Sequence, residues 1–174
     1  MKTFVTIFFL LLSSVAFSQN NPSLKDVLLE QFKTTHRTKE WFVPVMTSLE
    51  GLTAEQAMWK DKSGNHSVGE LASHLYFWNS RSLTRFKGQQ PPGFNGDNKE
   101  TFNVLDKNGW EKLVKDVDNL FTEWEKAIQE ADEAKLKDWY STLAKINTHN
   151  AYHIGQIVFM RKLQGVWDPE KGVK

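Results

Sequence analysis

The sequence predicts an all-α fold, a four-helix bundle. Apolar side chains recur with the 3.6-residue period of amphipathic helices, capping sequences precede several of these segments, and the alternating pattern typical of strands is absent. No internal repeat or low-complexity tract is visible. The chain has 174 residues, and the part from 19 to 174 is long enough for one domain with its own hydrophobic core rather than two.

The first residues, 1–18, are predicted to form a secretory signal peptide. The apolar run 4–12 follows a short positive start, and Ala16 and Ser18 occupy the −3 and −1 positions of a cleavage site. A membrane anchor or a buried helix is the alternative interpretation, but the run is far shorter than the roughly 20 residues that span a bilayer. We therefore expect a periplasmic or secreted protein that is cleaved after Ser18 and keeps no stable membrane anchor.

Composition excludes several classes of function. The formal net charge is +1, and acidic and basic residues are interspersed, which argues against nucleic acid or an anionic membrane as the main partner. The chain has no Cys, so disulfides, thiolate ligands, a cysteine nucleophile and a bacterial lipoprotein anchor are all excluded. A phosphate-binding glycine loop and a Ser-His-Asp arrangement are also missing, so nucleotide chemistry and covalent catalysis receive no support.

The first helix is predicted to begin after Ser23, which has the side chain of a typical N-cap. Its apolar pattern continues for about 20 residues, and Pro44 is expected to kink or end the helix near Val43. A capping-box sequence at Thr53 then predicts a short helix that Trp59 closes.

The second long helix has the clearest start in the chain. Ser67 and Glu70 form a capping box, and the helix is predicted to run to about Lys87, where Gly88 stops it. Its predicted buried face carries one histidine among apolar residues: Val68, Leu71, His74, Leu75 and Trp78.

Residues 88–107 are predicted to form a long loop with one helical turn within 100–105, because the segment contains the turn sequences Pro-Pro-Gly and Asn-Gly-Asp. Loops of this length in a compact domain are usually functional or mobile. We hypothesise that this loop covers the functional site.

Two further helices complete the predicted bundle. The third begins at Asn108, and the fourth opens at Ser141 or Thr142 and ends at Gly165. The apolar face of the third is the most regular in the chain: Trp110, Leu113, Val117, Leu120, Phe121, Trp124 and Ile128. The corresponding face of the fourth includes two histidines: Leu143, Ile146, His149, His153, Ile157 and Met160.

The placement of three histidines on apolar helix faces predicts a metal site. His149 and His153 are one helical turn apart, so their rings point the same way and can reach one ion at about 2.0–2.1 Å. His74 can join them if its helix is a neighbour. Three neutral imidazoles leave at least one coordination position open, which is typical of a reactive site. This ligand set suits zinc, nickel, copper or iron.

The alternative is that each ring is an ordinary core histidine with a hydrogen-bond partner. A single histidine on an apolar face favours that interpretation. The three together favour a metal, because several unpaired buried imidazoles would be costly.

Two segments resemble the DinB/YfiT-like superfamily of metalloenzymes. Residues 67–75, Ser-Val-Gly-Glu-Leu-Ala-Ser-His-Leu, resemble the start of that family's second helix. Residues 149–157, His-Asn-Ala-Tyr-His-Ile-Gly-Gln-Ile, resemble its closing motif, and the connection around 49–59 is also similar. The resemblance covers residues 19–174. It implies the family's bundle topology, a metal triad of His74, His149 and His153, zinc or nickel as the divalent ion, and a homodimer.

Other polar residues are expected to support this site or to lie outside it. Metal-bound histidines usually donate their second ring N–H to a carboxylate, a carbonyl or water. The candidates for this role are Glu70, Asn147 and Asn150. Gln156 either contacts a substrate, holds a water or packs between helices. His36 and His66 have no partner at ligand spacing and are expected to be ordinary surface or loop residues.

Two classes of function with a bound metal fit these observations, and a third class, without a metal, is the remaining alternative. The first is a metal-dependent hydrolase or transferase acting on an unidentified small molecule. The resemblance implies thiol-dependent transferases and isomerases, but the thiols they use are cytosolic, which conflicts with the expected export. The second is a non-enzymatic binding or stress-response bundle that uses the ion to capture a ligand or to fix the fold. The third is a helical interaction module without a metal.

Overall fold

The computed structural model describes residues 21–172, and this part of the chain is all helical, as predicted. Six α-helices and two short 3₁₀ turns are found in it, and no strand. The helices are α1 Leu24–His36, α2 Val45–Leu49, α3 Ala54–Met58, α4 Val68–Phe86, α5 Lys107–Glu130 and α6 Glu133–Gln164. The predicted signal peptide, 1–18, lies outside the described residues. None of the described helices is both long enough and apolar enough to cross a membrane.

The four long helices α1, α4, α5 and α6 pack side by side around a common core. Both α1 and α4 contact both α5 and α6. The predicted apolar face of α5 is entirely buried, from Trp110 to Ile128. The capping boxes at Ser23 and Ser67 are formed, with each hydroxyl accepting from a backbone N–H three residues on. Helix α4 ends before Gly88, whose φ of +78° is readily adopted only by glycine.

The first helix ends at His36, so the prediction that it continues to Val43 was wrong. The N–H groups of both Arg37 and Thr38 donate to the carbonyl of Lys33, which closes the last turn. The following apolar residues do not extend the helical face. Val43 packs instead against Val158 and Trp167 in a separate small cluster. Pro44, which has no N–H to donate within a helix, forms the N-cap of α2.

The start of the last helix was also predicted wrongly. Helix α6 begins at Glu133, about two turns before Ser141 and Thr142, which are exposed positions in its interior. Asp132 is the N-cap, and its carboxylate accepts from the N–H of Lys135 at 2.8 Å. The extra turns bury Leu136, which is 1% exposed. Burial of this leucine favours the longer helix over a start at the hydroxyl residues.

The segment 88–106 is a loop, as predicted, but its one helical turn is a 3₁₀ turn over Asn98–Thr101 and begins two residues before the predicted 100–105. This turn lies against α4. The Ser73 hydroxyl donates to the carbonyl of Thr101 at 2.8 Å and accepts from the N–H of Asn103, also at 2.8 Å. Because Ser73 precedes His74, these two bonds hold the loop directly beside the first of the three histidines.

Candidate metal centre

The three histidines converge at one point between α4 and α6. The Nε2 atom of His149 lies 3.2 Å from Nε2 of His74 and 3.0 Å from Nε2 of His153. One ring nitrogen from each residue lies within 4.8 Å of the others. His74 and His153 are 3% and 7% exposed, and His149 is partly buried. The structure therefore brings together the three side chains that the sequence singled out.

A hydrogen bond to the loop determines which ring nitrogen of His74 carries the proton. Its Nδ1 lies 2.5 Å from the hydroxyl oxygen of Thr101. That hydroxyl gives its own hydrogen to the carbonyl of Asn98 at 2.7 Å, so it can only accept from the ring. Nδ1 of His74 therefore carries the proton, and Nε2 presents a lone pair toward the other two histidines.

A second hydrogen bond determines in the same way which ring nitrogen of His153 carries the proton. Its Nδ1 lies 2.6 Å from Oε1 of Gln156, while Nε2 of that amide donates to the hydroxyl of Tyr152 at 3.2 Å. An amide oxygen can only accept, so Nδ1 of His153 is the donor. Its Nε2 presents a second lone pair toward His149.

The three Nε2 atoms cannot satisfy one another. Two lone pairs face Nε2 of His149, and a neutral ring offers at most one proton at that atom. Two ligand nitrogens bound to one tetrahedral ion are about 3.4 Å apart, close to the separations observed here. A cation at the centre would satisfy all three nitrogens, so these residues fit a divalent metal ion.

The electrostatics keep the rings neutral and able to bind a cation. Burial, together with the neighbouring imidazoles, lowers the pKa of His74 from 6.5 to about 3 and that of His149 to about 4. Burial also lowers the pKa of His153, although its hydrogen bond with Gln156 acts in the opposite direction. All three rings are thus available as neutral ligands at neutral pH.

Phe102, from the long loop, covers one side of the centre. Its ring stacks on His74 with a centroid separation of 4.1 Å and on His66 with a separation of 3.8 Å. His66 is an exposed residue, as expected, and forms the outer layer of this stack. The hypothesis that the loop covers the site thus agrees with the positions of Thr101 and Phe102.

The residues that orient the histidines differ from those expected. The carboxylate of Glu70 accepts from Lys60 at 2.6 Å and from the N–H of Ser67 at 2.8 Å, and it does not bond to the three histidines of the triad. The amides of Asn150 and Asn147 bond to residues on neighbouring helices, Asn79 and Thr35 respectively. The supporting partners are instead Thr101, which no sequence pattern indicated, and Gln156.

The structure also corrects the prediction made for His36. The expectation of an ordinary surface or loop residue was wrong, because His36 is 2% exposed. Its Nδ1 lies 2.6 Å from a carboxylate oxygen of Glu125, and its Nε2 lies 2.9 Å from one of Asp118. These two carboxylates offset the cost of burying the ring.

A cavity of about 490 Å³ opens beside the three histidines. Its lining comes from α4, α6 and the loop: His74, Trp78, Asn79, Ser82, Asn98, Phe102, Thr142, Lys145, Ile146, His149 and His153. A larger groove of about 1200 Å³ lies near α2 and the start of α5, but its lining contains no histidine. Of the two, only the smaller cavity joins space for a small molecule to a set of metal ligands.

The family comparison agrees with this site. The DinB superfamily matches residues 45–157, a stretch that contains all three histidines, Thr101 and Gln156. No curated protein and no solved structure showed a significant match to the chain. Since the match covers well over half of the sequence and includes the whole three-histidine centre, the chain belongs to the DinB superfamily.

Proposed function

We propose that this DinB-superfamily protein is a metal-dependent hydrolase or transferase acting on a small molecule. His74, His149 and His153 would hold a divalent ion, with zinc or nickel as the expected metals. The observation that carries the proposal is the meeting of three Nε2 atoms beside a cavity, with two of their lone pairs directed at the third ring.

The surrounding residues prepare the site for chemistry. Thr101 and Gln156 hold two of the rings in one tautomer and one orientation. Phe102 excludes water from one face of His74. Three protein ligands leave at least one coordination position for a substrate, and the cavity lies next to them. The bound ion would supply a Lewis acid that polarises a carbonyl or lowers the pKa of water or of a thiol.

Three further features belong to the proposal. Export to the periplasm or beyond is supported by the apolar run and small residues within 1–18. The DinB/YfiT-like bundle topology is supported by the pairwise packing of the four long helices. A homodimer is supported by three exposed apolar side chains along α6, where Tyr152, Phe159 and Leu163 are 63%, 55% and 47% exposed.

Elemental analysis tests the metal centre directly. Protein purified without a histidine tag is expected to contain about one divalent ion per chain, and His149→Ala and His153→Ala are expected to lose it. His66→Ala is the matched control, because this histidine is nearby but not part of the triad. Unchanged metal content in His149→Ala would exclude the proposed centre.

Cobalt substitution separates an enzyme from a binding protein. A reactive centre is expected to take up azide at its open position, with a change in the visible spectrum of cobalt. A centre closed by a fourth protein group would leave the spectrum unchanged and would favour the non-enzymatic binding or stress-response role. A protein that binds no metal, and whose melting temperature a chelator does not lower, would be a metal-free interaction module.

A further inference from the structure

We propose that the ligand of the three-histidine cavity is a small carboxylate with an apolar body, and that Lys145 binds its carboxylate. This inference rests on the proposed function, because it assumes that the ligand reaches a metal ion at the triad. It goes further by naming the chemical class of the ligand and the residue that selects it.

The charge of the cavity favours an anion. Among the described residues that line the cavity, Lys145 is the only one with a formal charge at neutral pH, and none is acidic. The three histidines are neutral ligands and do not cancel the charge of a divalent ion. With the ion bound, the cavity carries a strongly positive potential that attracts anions and disfavours cations.

Lys145 occupies the right position on α6. It lies one turn before His149 and two turns before His153, so all three side chains project from the same face of the helix. Among the described residues Lys145 has no ion-pair partner, whereas Lys137 on the same helix pairs with Glu133 at 3.0 Å. An ammonium at the edge of the cavity is therefore available to a ligand that also reaches the triad.

A single lysine also suits a single negative charge. The lining contains no arginine and no start of a long helix, which are the groups that commonly hold phosphate. One ammonium matches one carboxylate, with the polar side chains of Ser82 and Thr142 in the same lining. The cavity therefore fits a carboxylate better than a phosphate ester.

The apolar walls of the cavity indicate the chemistry of the rest of the ligand. Trp78, Phe102 and Ile146 supply apolar surface, and the Trp78 indole N–H already donates to Asn98 at 3.1 Å. The volume of about 490 Å³ is in the range of small-molecule sites. An aliphatic or aromatic body between the carboxylate and the metal-binding group would bury these walls.

Two matched thiols test the inference on the cobalt-loaded protein. Mercaptohexanoate and mercaptohexanol both present a thiol to the metal and differ only in the carboxylate. Their dissociation constants are measured from the absorbance of the cobalt–thiolate bond. The native protein is expected to bind the acid about two- to fivefold more tightly, the strength of an exposed ion pair. Salt is expected to weaken this preference.

Variants of Lys145 test whether this residue causes the preference for the carboxylate. Lys145→Gln is expected to remove it without changing the affinity for mercaptohexanol, and Lys145→Glu is expected to reverse it. Lys137→Gln is the control on the same helix and is expected to keep the native ratio. The side chain of Lys145 is exposed, so these substitutions leave the core intact.

Each other outcome has a distinct meaning. Equal binding of the two thiols by the native protein would overturn the carboxylate inference and leave the metal centre standing. A preference that survives in Lys145→Gln would overturn the role of this lysine. Failure to bind cobalt would overturn the proposed function together with the inference, whereas a cobalt-loaded protein that takes up azide but neither thiol would overturn the inference alone.

Discussion

Two oxygen atoms set the proton positions of the candidate metal centre. The Thr101 hydroxyl and the Gln156 amide oxygen each accept from the Nδ1–H of a histidine, so that each Nε2 is left as a lone-pair donor. Such supporting bonds keep a ring in one tautomer and orientation and raise its basicity as a ligand. Of the two, the bond to Thr101 is the more buried, because that residue is 1% exposed.

Replacing Thr101 by valine is expected to weaken metal binding without unfolding the protein. Thr101→Val keeps the shape of the side chain but removes the acceptor for His74, which lets the ring rotate or change tautomer. We expect the affinity for zinc to fall about ten- to hundredfold, the usual effect of losing a supporting bond to a ligand. The affinity of each variant for zinc is measured by competition with a chromophoric chelator.

Thr148→Val is the matched control for this prediction. Thr148 is exposed on α6, and its hydroxyl bonds only to the carbonyl of Ala144 in its own helix at 3.0 Å. The control is expected to bind zinc like the native protein. An affinity in Thr101→Val equal to that of the control would show that the hydroxyl does not support the ligand.

Sequence reasoning finds the histidines but not their partners, for a physical reason. His149 and His153 share a helix, so their spacing alone places them together, and the apolar pattern of α4 indicates the buried position of His74. The bond from His74 to Thr101 joins residues 27 positions apart across a loop. No periodic pattern describes such a contact, because the loop conformation is set by tertiary packing.

His36 connects helix α1 to helix α5. Both of its ring nitrogens lie within hydrogen-bond distance of carboxylates of α5, those of Glu125 and Asp118. Burial alone would raise the pKa of Asp118, but hydrogen bonds from His36 and Arg37 outweigh it and hold the pKa below 3.8. The bridge is therefore a polar link between two helices that also meet through apolar contacts and through the bond from Lys25 to the carbonyl of Gln129.

Removing this bridge is expected to destabilise the bundle. His36→Leu leaves the partly buried carboxylate of Glu125 without its imidazole partner and that of Asp118 with Arg37 alone, and we expect the free energy of unfolding to fall by about 1–3 kcal/mol. Urea unfolding of the chelator-treated protein measures the change. His66→Leu, at an exposed position, is the control; it loses the stacking contact with Phe102 but no buried ring, and is expected to lower stability less than His36→Leu does. Equal stabilities of the two variants would rule out a structural role for the bridge.

Helix boundaries were predictable where a local signal decides them and not where packing decides them. The start of α4 follows from the capping box of Ser67, and the end of α6 follows from Gly165, whose φ is +75°. The start of α6 does not follow from Ser141, because that hydroxyl lies within a helix that already continues from Asp132. The burial of Leu136, a tertiary effect, determines the longer helix.

At the scale of the described chain, the bundle core is built mainly from two apolar clusters, and Tyr76 packs against both of them. One cluster includes Leu71, Phe121 and Ile157, and the other includes Phe32, Trp124 and Leu143. Two pairs of buried polar groups also cross from helix to helix: Asn79 of α4 with Asn150 of α6, and Thr35 of α1 with Asn147 of α6. Polar groups in a core fix the relative position of helices, because any shift leaves buried groups unpaired. The pair of Asn79 and Asn150 thus helps to hold α4 and α6 in the register that the triad requires.

Without its metal, the whole fold is expected to lose stability as the pH falls. The pKa of His74 is lowered to about 3 and that of His149 to about 4, whereas in the unfolded chain both return to about 6.5. Between pH ~6.5 and pH ~4 the unfolded chain therefore binds more protons than the folded protein, and the free energy of unfolding decreases as the pH is lowered. The full contribution of these two rings is present only above pH ~6.5.

Urea titrations of the chelator-treated protein from pH ~7.5 to pH ~4.5 test this dependence. Each of the two histidines is expected to contribute a slope of up to about 1.4 kcal/mol per pH unit within this window. His74→Leu removes one of these groups and is expected to reduce the slope by less than half, because burial also lowers the pKa of His153. Asp118 does not interfere, because a carboxyl whose pKa lies below 3.8 loses its contribution only at more acidic pH. A stability that stays constant from pH ~6.5 to pH ~4.5 would mean that the rings take up protons as readily in the fold as in the unfolded chain, and the neutral ligand set would not exist.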